Sequence, residues 1–294
     1  MTQKFYKYQG AGNDFLIADN RDGSISEKDG VLTCRDSQGN TMEVRISDIC
    51  DRRYGLGADG LMLLESSDSY DFRMVYFNSD GSGGMMCGNG GRCIVAFAAD
   101  MGIKHFDFDA ADGFHTAEIL SDGTVKTVRL KMKDVEEIVR HDNLSGPKVS
   151  SDGWFLDTGT RHFVRFVDGL DNYDIVSEGR DIRYNAAELM PVGANVNFVE
   201  PFEGGIKVRT YEKGVEDETY ACGTGIVASS VASYLNGIRP SERYDDSRVS
   251  YKVQAVRDSL AVDFIPDSES ALKCSDVWLT GPATYVAEII LGNV

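Results

Sequence analysis

Two short blocks of this sequence bring together residue types that could do chemistry: Cys87-Gly88-Asn89-Gly90 and Cys222-Gly223-Thr224-Gly225. Each opens a segment with helical period. Ile94, Phe97, Ala98 and Met101 fall at offsets 0, 3, 4 and 7, and Val227, Val231, Tyr234 and Leu235 at 0, 4, 7 and 8, so each helix is expected to turn one apolar stripe to a core. The first turn of a helix leaves backbone N–H groups without partners and carries partial positive charge, which attracts a carboxylate or a thiolate. A cysteine there has its pKa drawn down from ~8.5 and can act as base, nucleophile or metal ligand. The glycines, lacking Cβ, let a ligand carboxylate come close to the amides. One such block would most simply be a packing cysteine. Two, each closed by a glycine 15 positions later (Gly102-Ile103 and Gly237-Ile238) and set 135 residues apart, indicate homologous halves.

Two such thiols facing one another across a cleft suit inversion at carbon. One thiolate takes a proton from one face of an α-carbon and the opposite thiol delivers one to the other, with no cofactor required. The α-proton of an amino acid is too weakly acidic for a thiolate alone. Helix starts aimed at the α-carboxylate would stabilise the developing charge, and domain closure would exclude water.

The elements that must position these residues are mostly strands. Phe15–Ala18, Leu61–Leu64, Phe72–Phe77, Val125–Leu130, Phe163–Val167, Ile206–Tyr211, Ser259–Phe264 and Val286–Leu291 are alternating or β-branched runs bounded by turn residues. The class is α+β, rich in sheet. At 294 residues the length suits two domains, with a hinge near Lys131-Met132-Lys133-Asp134. The 47 acidic residues against 30 basic give a net charge of −17, which opposes nucleic acid and anionic membrane surfaces. The first ten residues lack the apolar run of a signal peptide, and no stretch approaches the ~20 apolar residues of a membrane span, so a cytoplasmic location is expected. Six scattered cysteines read as thiols rather than a disulfide framework.

Several other features carry less. Gly55-Leu56-Gly57-Ala58-Asp59-Gly60 matches a dinucleotide fingerprint formally but lacks the preceding strand and following helix, and reads as a turn. His105, His115, His141 and His162 are too widely spaced for a metal site. Cys93 reads as packing, Cys34, Cys50 and Cys274 carry no motif, and Glu216-Asp217-Glu218 reads as a solvated face.

At this point the chain resembles the diaminopimelate epimerase family, along its whole length. The blocks that carry the resemblance are Gly10-Ala11-Gly12-Asn13-Asp14-Phe15, Gly55 to Gly60, Asn78-Ser79-Asp80-Gly81, Met86 to Gly90 with Arg92-Cys93, Asn195-Val196-Asn197-Phe198-Val199, Tyr211-Glu212-Lys213-Gly214, Ala221 to Gly225 and Leu279-Thr280-Gly281-Pro282-Ala283. The resemblance implies interconversion of LL- and meso-diaminopimelate, on the route to lysine and peptidoglycan, without a cofactor or metal. It implies that Cys87 and Cys222 are the acid/base thiols, with Gly88, Asn89, Gly223 and Thr224 offering helix-start donors. His162 and Glu212 would assist the thiols and hold the α-amino group, while Asn13, Asn78 and Asn195 would contact substrate. It further implies a homodimer and two pseudo-twofold domains, 1–131 (with a returning strand at 282–294) and 132–281. Each would be a barrel-like, mainly antiparallel sheet around a central helix, with the site in the interdomain cleft.

The chain departs from the family pattern in three places. Where an asparagine is usual it has Thr160, followed by Arg161; where Glu-Arg-Gly is usual it has Glu212-Lys213-Gly214. Lys213 cannot reproduce a bidentate arginine grip on a carboxylate, and Arg161 is expected to compensate at the distal end of the substrate. The span Glu27 to Val44 is longer than usual and reads as a surface hairpin. Two other function classes fit parts of the same pattern: a racemase of another amino acid, such as histidine, and a binding or redox-switch protein whose two cysteines join reversibly. Exchange of the α-proton with solvent discriminates among them.

Overall fold

The computed structural model describes residues 2–84, 86–146, 149–244, 247–270 and 272–292. The chain divides into two compact units, Met1–Leu130 with Pro282–Val294, and Lys131–Gly281. In chain order the first unit contains β1 (Thr2–Gly10), β2 (Asn13–Asp19), β3 (Ile25–Lys28), β4 (Val31–Arg35), β5 (Thr41–Arg45), α1 (Ile46–Cys50), β6 (Gly60–Glu65), β7 (Phe72–Asn78), α2 (Gly88–Asp100), β8 (Asp107–Ala110), β9 (Gly113–Ser121) and β10 (Val125–Lys131). The second contains β11 (Glu137–Gly146), β12 (Val149–Asp157), β13 (Arg161–Phe166), α3 (Ile175–Asn185), β14 (Asn195–Phe202), β15 (Gly205–Glu212), β16 (Asp217–Thr219), α4 (Gly223–Leu235), β17 (Glu242–Arg243), β18 (Val249–Gln254) and β19 (Ser259–Pro266). The last strand, β20 (Cys274–Gly292), begins in the second unit and ends in the first.

In the first unit the pairing runs β1, β2, β6, β7, β8, β9, β10, β20 and back to β1, closing a ring of eight strands. Two joints are parallel, β2 with β6 and β7 with β8. The second unit pairs β11 to β12 to β13, then β14, β15, β18, β19 and β20, again with two parallel joints, β13 with β14 and β15 with β18. Parallel neighbours cannot be joined by a tight hairpin and need a crossover. In each unit the second crossover carries the cysteine-headed helix, α2 or α4. The first crossover is where the units diverge: β3 to β5 with α1 in one, α3 in the other.

The two helices end alike. Gly102 (φ +88) and Gly237 (φ +75) take the left-handed conformation just past the helix. Each glycine and the residue after it donate back to the helix, Gly102 to Ala99 O and Ile103 to Ala98 O at 3.0 Å, Gly237 to Tyr234 O at 3.1 Å and Ile238 to Ser233 O at 2.9 Å, a pair of hydrogen bonds that satisfies carbonyls of the last turn.

Three expectations need correction. Neither helix turns a single apolar stripe to the core: α2 is buried from Gly88 to Ala98, and α4 is buried almost throughout. A helix packed against strands on several sides has no solvent face, so small residues and self-satisfied polar ones replace the charged face of an amphipathic helix. In α4 the hydroxyls of Ser229, Ser230 and Ser233 each donate to the carbonyl four residues back, at 2.7 to 2.9 Å. Second, the sequence reading missed α3, whose buried apolar positions are reduced to Ile175 and Ile182. Its readable signal was the cap, Asp174, which accepts from Ser177 N at 3.1 Å. Third, the span 27–44 is more than a surface hairpin. It belongs to a three-stranded antiparallel sheet whose alternate residues Leu32, Cys34, Met42 and Val44 are buried in one cluster with Phe5 and Leu16.

Candidate active site

In the first unit the two-residue turn between β1 and β2 has positive φ at both Ala11 (+53) and Gly12 (+97), the hand that suits a twisted hairpin, and it delivers Asn13 at the head of β2. Gly10 beside it is closely packed: a Cβ there would lie 3.0 Å from Asn89 O and 3.1 Å from Cys93 Sγ, so the first turn of α2 would have to give by a few tenths of an ångström to admit it. Cys87 is the N-cap of α2, in extended conformation, and its Sγ accepts from Gly90 N at 3.3 Å. The sulfur thus occupies the position of a capping oxygen.

From this helix start runs a directional chain of hydrogen bonds. Arg92, fully buried, donates to Asn89 Oδ1 (2.9 Å); Asn89 Nδ2 donates to Asn13 Oδ1 (2.6 Å); Asn13 Nδ2 donates to Asp59 Oδ2 (3.0 Å). A guanidinium can only donate and a carboxylate only accept, so the two ends fix the orientation of both amides. Arg92 also donates to Gly88 O and Pro282 O, and Asp59 pairs with Arg52 at 2.6 Å. Arg52 bridges on to Asp14, which Lys7 also holds at 2.9 Å. Burial alone would raise the pKa of Asp14, but the hydrogen bonds from Arg52 and Lys7 hold it below the usual carboxylate range. Asn78 stands outside this chain, as the last residue of β7, with its side chain donating to Ser82 Oγ at 3.0 Å.

In the second unit Cys222 is the N-cap of α4, and its Sγ lies 3.5 Å from Thr224 Oγ1. Thr224 Oγ1 is 2.9 Å from His162 Nε2 and 3.0 Å from Thr160 Oγ1, and Thr160 Oγ1 is itself 2.9 Å from the same ring nitrogen. Thr158 Oγ1 donates to Thr224 O at 3.0 Å, pinning the first turn of the helix. His162 is fully enclosed, and burial pushes its pKa down to about 3, so the imidazole is neutral at working pH. Gly225 permits this packing: a Cβ there would lie 2.3 Å from Asn197 Oδ1 and 3.2 Å from His162 Cε1.

Asn195 spends its amide on backbone, donating to Arg161 O (3.1 Å) and accepting from Lys213 N (2.8 Å), which ties β13 to the end of β15. Gly223 is the buried first residue of α4, Glu212 accepts from Thr219 Oγ1 at 2.8 Å, and the Lys213 side chain is exposed. Arg161 is half-buried in the same strand as His162. On β13 it alternates with His162, so its guanidinium points to the other face, 5.0 Å from the Phe155 ring centre and within 3.3 Å of Leu189 O. Glu216-Asp217-Glu218 is also more than a solvated face, since Glu218 holds Arg209 by two 2.6 Å bonds and Asp217–Thr219 is the strand β16.

The residues that the sequence reading passed over are those behind the contact residues: Asp59 and Arg52 in the first unit, Thr158, Asn197 and Thr210 in the second. Arg92 appeared there only as part of a block. Its signal was available, as the one cation in an otherwise small and apolar helix. So was that of Asn197, which shares a strand face with Asn195 at i and i+2. The remaining thiols are packing residues in an apolar setting, where burial pushes Cys34 and Cys50 up to about 11, Cys274 up to about 12, and Cys93 up as well. Among the described residues no group of three or more His, Cys, Asp or Glu side chains is placed to hold a metal ion, and no helix is long and apolar enough to cross a membrane.

Two topologically repeated sheet units, each with a buried helix in its second crossover, make up a fold that solved structures share. A Bacillus anthracis phenazine biosynthesis protein of the PhzF family superposes with a TM-score of 0.68 at 15% identity, covering 100% of both chains. A hydroxyproline epimerase from Agrobacterium vitis does so with a TM-score of 0.66 at 13% identity, over 99% of this chain and 92% of the other. Sequence narrows this class to one family. The diaminopimelate epimerase family profile matches residues 5–136 and 154–254, and the chain belongs to that family. It is 41% identical to the diaminopimelate epimerase of Flavobacterium psychrophilum over 97% of this chain and 98% of that protein. It is 38% identical to the diaminopimelate epimerase of Aquifex aeolicus over 97% and 96% of the two chains.

Proposed function

We propose that this protein interconverts LL- and meso-diaminopimelate by proton transfer at the α-carbon, with Cys87 and Cys222 as the two acid/base groups. The observation that carries the reading is the repeated one: a cysteine at the N-cap of each of two matched buried helices, in a chain of this family. A thiolate at a helix start is favoured by the partial charge of the exposed amides, and the same amides can bind the substrate α-carboxylate and stabilise its enediolate-like charge in the transition state. In the forward direction one thiolate takes the α-proton while the opposite thiol gives its own, and the reverse reaction exchanges their roles. Closure of domain 1–131 (with 282–294) on domain 132–281 would exclude water, strengthening the electrostatics and the basicity of the thiolate.

The reading assigns Gly88, Asn89, Gly223 and Thr224 to the α-carboxylate, Asn13, Asn78 and Asn195 to substrate positioning, and His162 and Glu212 to support of the thiols and the α-amino group. For the distal carboxylate we assign Lys213, whose ammonium is exposed, ahead of Arg161, whose guanidinium is engaged with Phe155 and Leu189. The enzyme is proposed to work as a cytoplasmic homodimer; sedimentation of the purified protein as a monomer at micromolar concentration would overturn that assignment.

Proton NMR in D₂O tests the reaction. The reduced protein is incubated with LL-diaminopimelate and, separately, with single amino acids including L-histidine. Deuterium entering the α-position together with formation of the meso epimer, for diaminopimelate alone, supports the proposal. Exchange with a different amino acid keeps the chemistry and overturns the substrate. Absence of exchange with every member of the panel sinks both.

A further inference from the structure

Behind Thr224 lies a set of hydrogen bonds whose direction is decided by a buried residue packed against Gly225 in the first turn of α4. Asn197 Nδ2 is 3.3 Å from Phe163 O and 3.0 Å from His162 Nδ1, while Asn197 Oδ1 accepts from Thr210 Oγ1 at 2.9 Å. A carbonyl oxygen cannot donate, so the amide nitrogen must face Phe163 O; the flipped amide would set two acceptors against each other. The same nitrogen then presents an N–H to His162 Nδ1, which must be the unprotonated ring nitrogen. In a neutral imidazole the proton therefore sits on Nε2.

We infer that Asn197 is a positioning residue: it holds His162 as the Nε2–H tautomer and so directs the Thr224 hydroxyl to donate to the sulfur of Cys222. With a proton on Nε2, the ring offers no lone pair to the hydroxyls of Thr160 and Thr224 that stand 2.9 Å away. The ring donates into that pair instead: with Nε2–H donating to Thr160 Oγ1 and Thr160 donating to Thr224 Oγ1 at 3.0 Å, the Thr224 proton is left for Cys222 Sγ at 3.5 Å. In the opposite tautomer Nε2 would accept the Thr224 proton and leave the sulfur without it. A hydroxyl donating to sulfur favours the thiolate over the thiol, so the amide of Asn197 bears on how readily Cys222 ionises. No proton leaves His162 in this arrangement; the ring acts through its fixed direction. The inference rests on the proposed role of Cys222, but its test does not depend on turnover.

The first measurement needs no variant. Ring-nitrogen NMR shifts of protein labelled with ¹⁵N-histidine are expected to show the His162 proton on Nε2; finding it on Nδ1 overturns the inference. The second uses Asn197→Asp, whose carboxylate accepts from Nδ1 and draws a ring proton there, beside Asn197→Leu, which removes the donor to Nδ1 without adding charge and so separates a change of tautomer from a change of charge. The rate of iodoacetamide labelling at the Cys222 peptide, followed against pH, is expected to shift to higher pH by about one unit, an approximately tenfold slower reaction near neutrality. An unchanged labelling profile despite a reversed tautomer would also overturn it. If either variant does turn over substrate, kcat is expected to fall with KM nearly unchanged, since Asn197 is fully buried behind His162.

Discussion

The two cysteine-headed helices are alike in length, 13 residues each, in having cysteine at the N-cap and in their closing glycine, yet they are held by opposite means. Around α2 the polar chain ends in ions: a buried arginine donates at one end and Asp59, itself paired with Arg52, accepts at the other. Around α4 the chain runs through neutral groups, Thr210 to Asn197 to His162 to Thr224. A chain with a cation at one end and a carboxylate at the other has a single direction, whatever lies between. A chain through an imidazole has two, and one amide selects between them. The same helix start can therefore be built rigidly or conditionally.

The largest effect should come from removing the thiols themselves. Cys87→Ala and Cys222→Ala are each expected to lower epimerisation by roughly 10²–10⁴-fold, the usual range for a general acid or base, and the double variant is expected to be little worse than either single one. The comparison is sharpened by deuterium exchange without inversion. A single remaining thiol can still take and return a proton on its own face, so each variant should exchange one epimer in D₂O and leave the other untouched, with opposite preference. Matching preferences in the two variants would sink the two-face assignment.

Next in size is the ionic anchor. Arg92→Met fills the same space without donors and leaves Asn89 Oδ1, Gly88 O and Pro282 O without their guanidinium partner. Unsatisfied buried acceptors cost ~1–3 kcal/mol each before relaxation, so a loss on the order of 3 kcal/mol is expected in urea denaturation. Thr210→Val, which takes one donor from the neutral chain of the other unit, is expected to cost only about 1 kcal/mol. Equal losses would erase the distinction between the two anchors.

Arg92 also shows what was legible in the sequence. The spacing of Cys87 and Cys222 against Gly102 and Gly237 set out the repeat, and alternation located the strands that carry Asn13, His162 and Glu212. Those signals are local, because a helix cap and a strand pleat are decided within a few residues. What stayed hidden depends on packing between distant segments. Arg92 binds Pro282 O across 190 positions, and Asp59 reaches Asn13 across 46. The burial of both helices on all sides was hidden for the same reason, since small residues fit a packed face and an exposed one equally well. Arg161 stands beside His162 in sequence, while the pleat of β13 sends the two side chains to opposite faces, a separation that adjacency alone does not show.

A smaller effect separates the two close approaches of glycine. Gly225→Ala gains helix propensity worth about 1 kcal/mol but drives its methyl to 2.3 Å from Asn197 Oδ1, so a net loss of roughly 1–3 kcal/mol is expected. Gly10→Ala meets its neighbours at 3.0 and 3.1 Å and should lose less. Melting temperatures of the two variants check the order, and a Gly225→Ala protein more stable than the parent would mean that the α4 start can shift without cost.

The smallest predicted effect is a pH dependence that distinguishes the units. The folded-state pKa of His162 is pushed down to about 3, while the unfolded chain takes up a proton near 6.5. Neutral burial of this ring therefore contributes stability that is fully present above about pH 6.5 and is lost progressively as the pH falls toward 3. Its slope is at most about 1.4 kcal/mol per pH unit. Asp14 in the first unit is also held below its ordinary value of 3.8, so its contribution is lost only at still lower pH, as the solution passes below 3.8. Acid should thus weaken the neutral anchor first. Both tryptophans, Trp154 and Trp278, belong to the second unit, so their fluorescence in urea titrations at pH 7, 6 and 5 reports on it directly. The midpoint is expected to fall with pH over this range and to fall less steeply in His162→Gln. An identical slope in that variant would assign the acid sensitivity to other groups and break the contrast between a neutral and an ionic anchor.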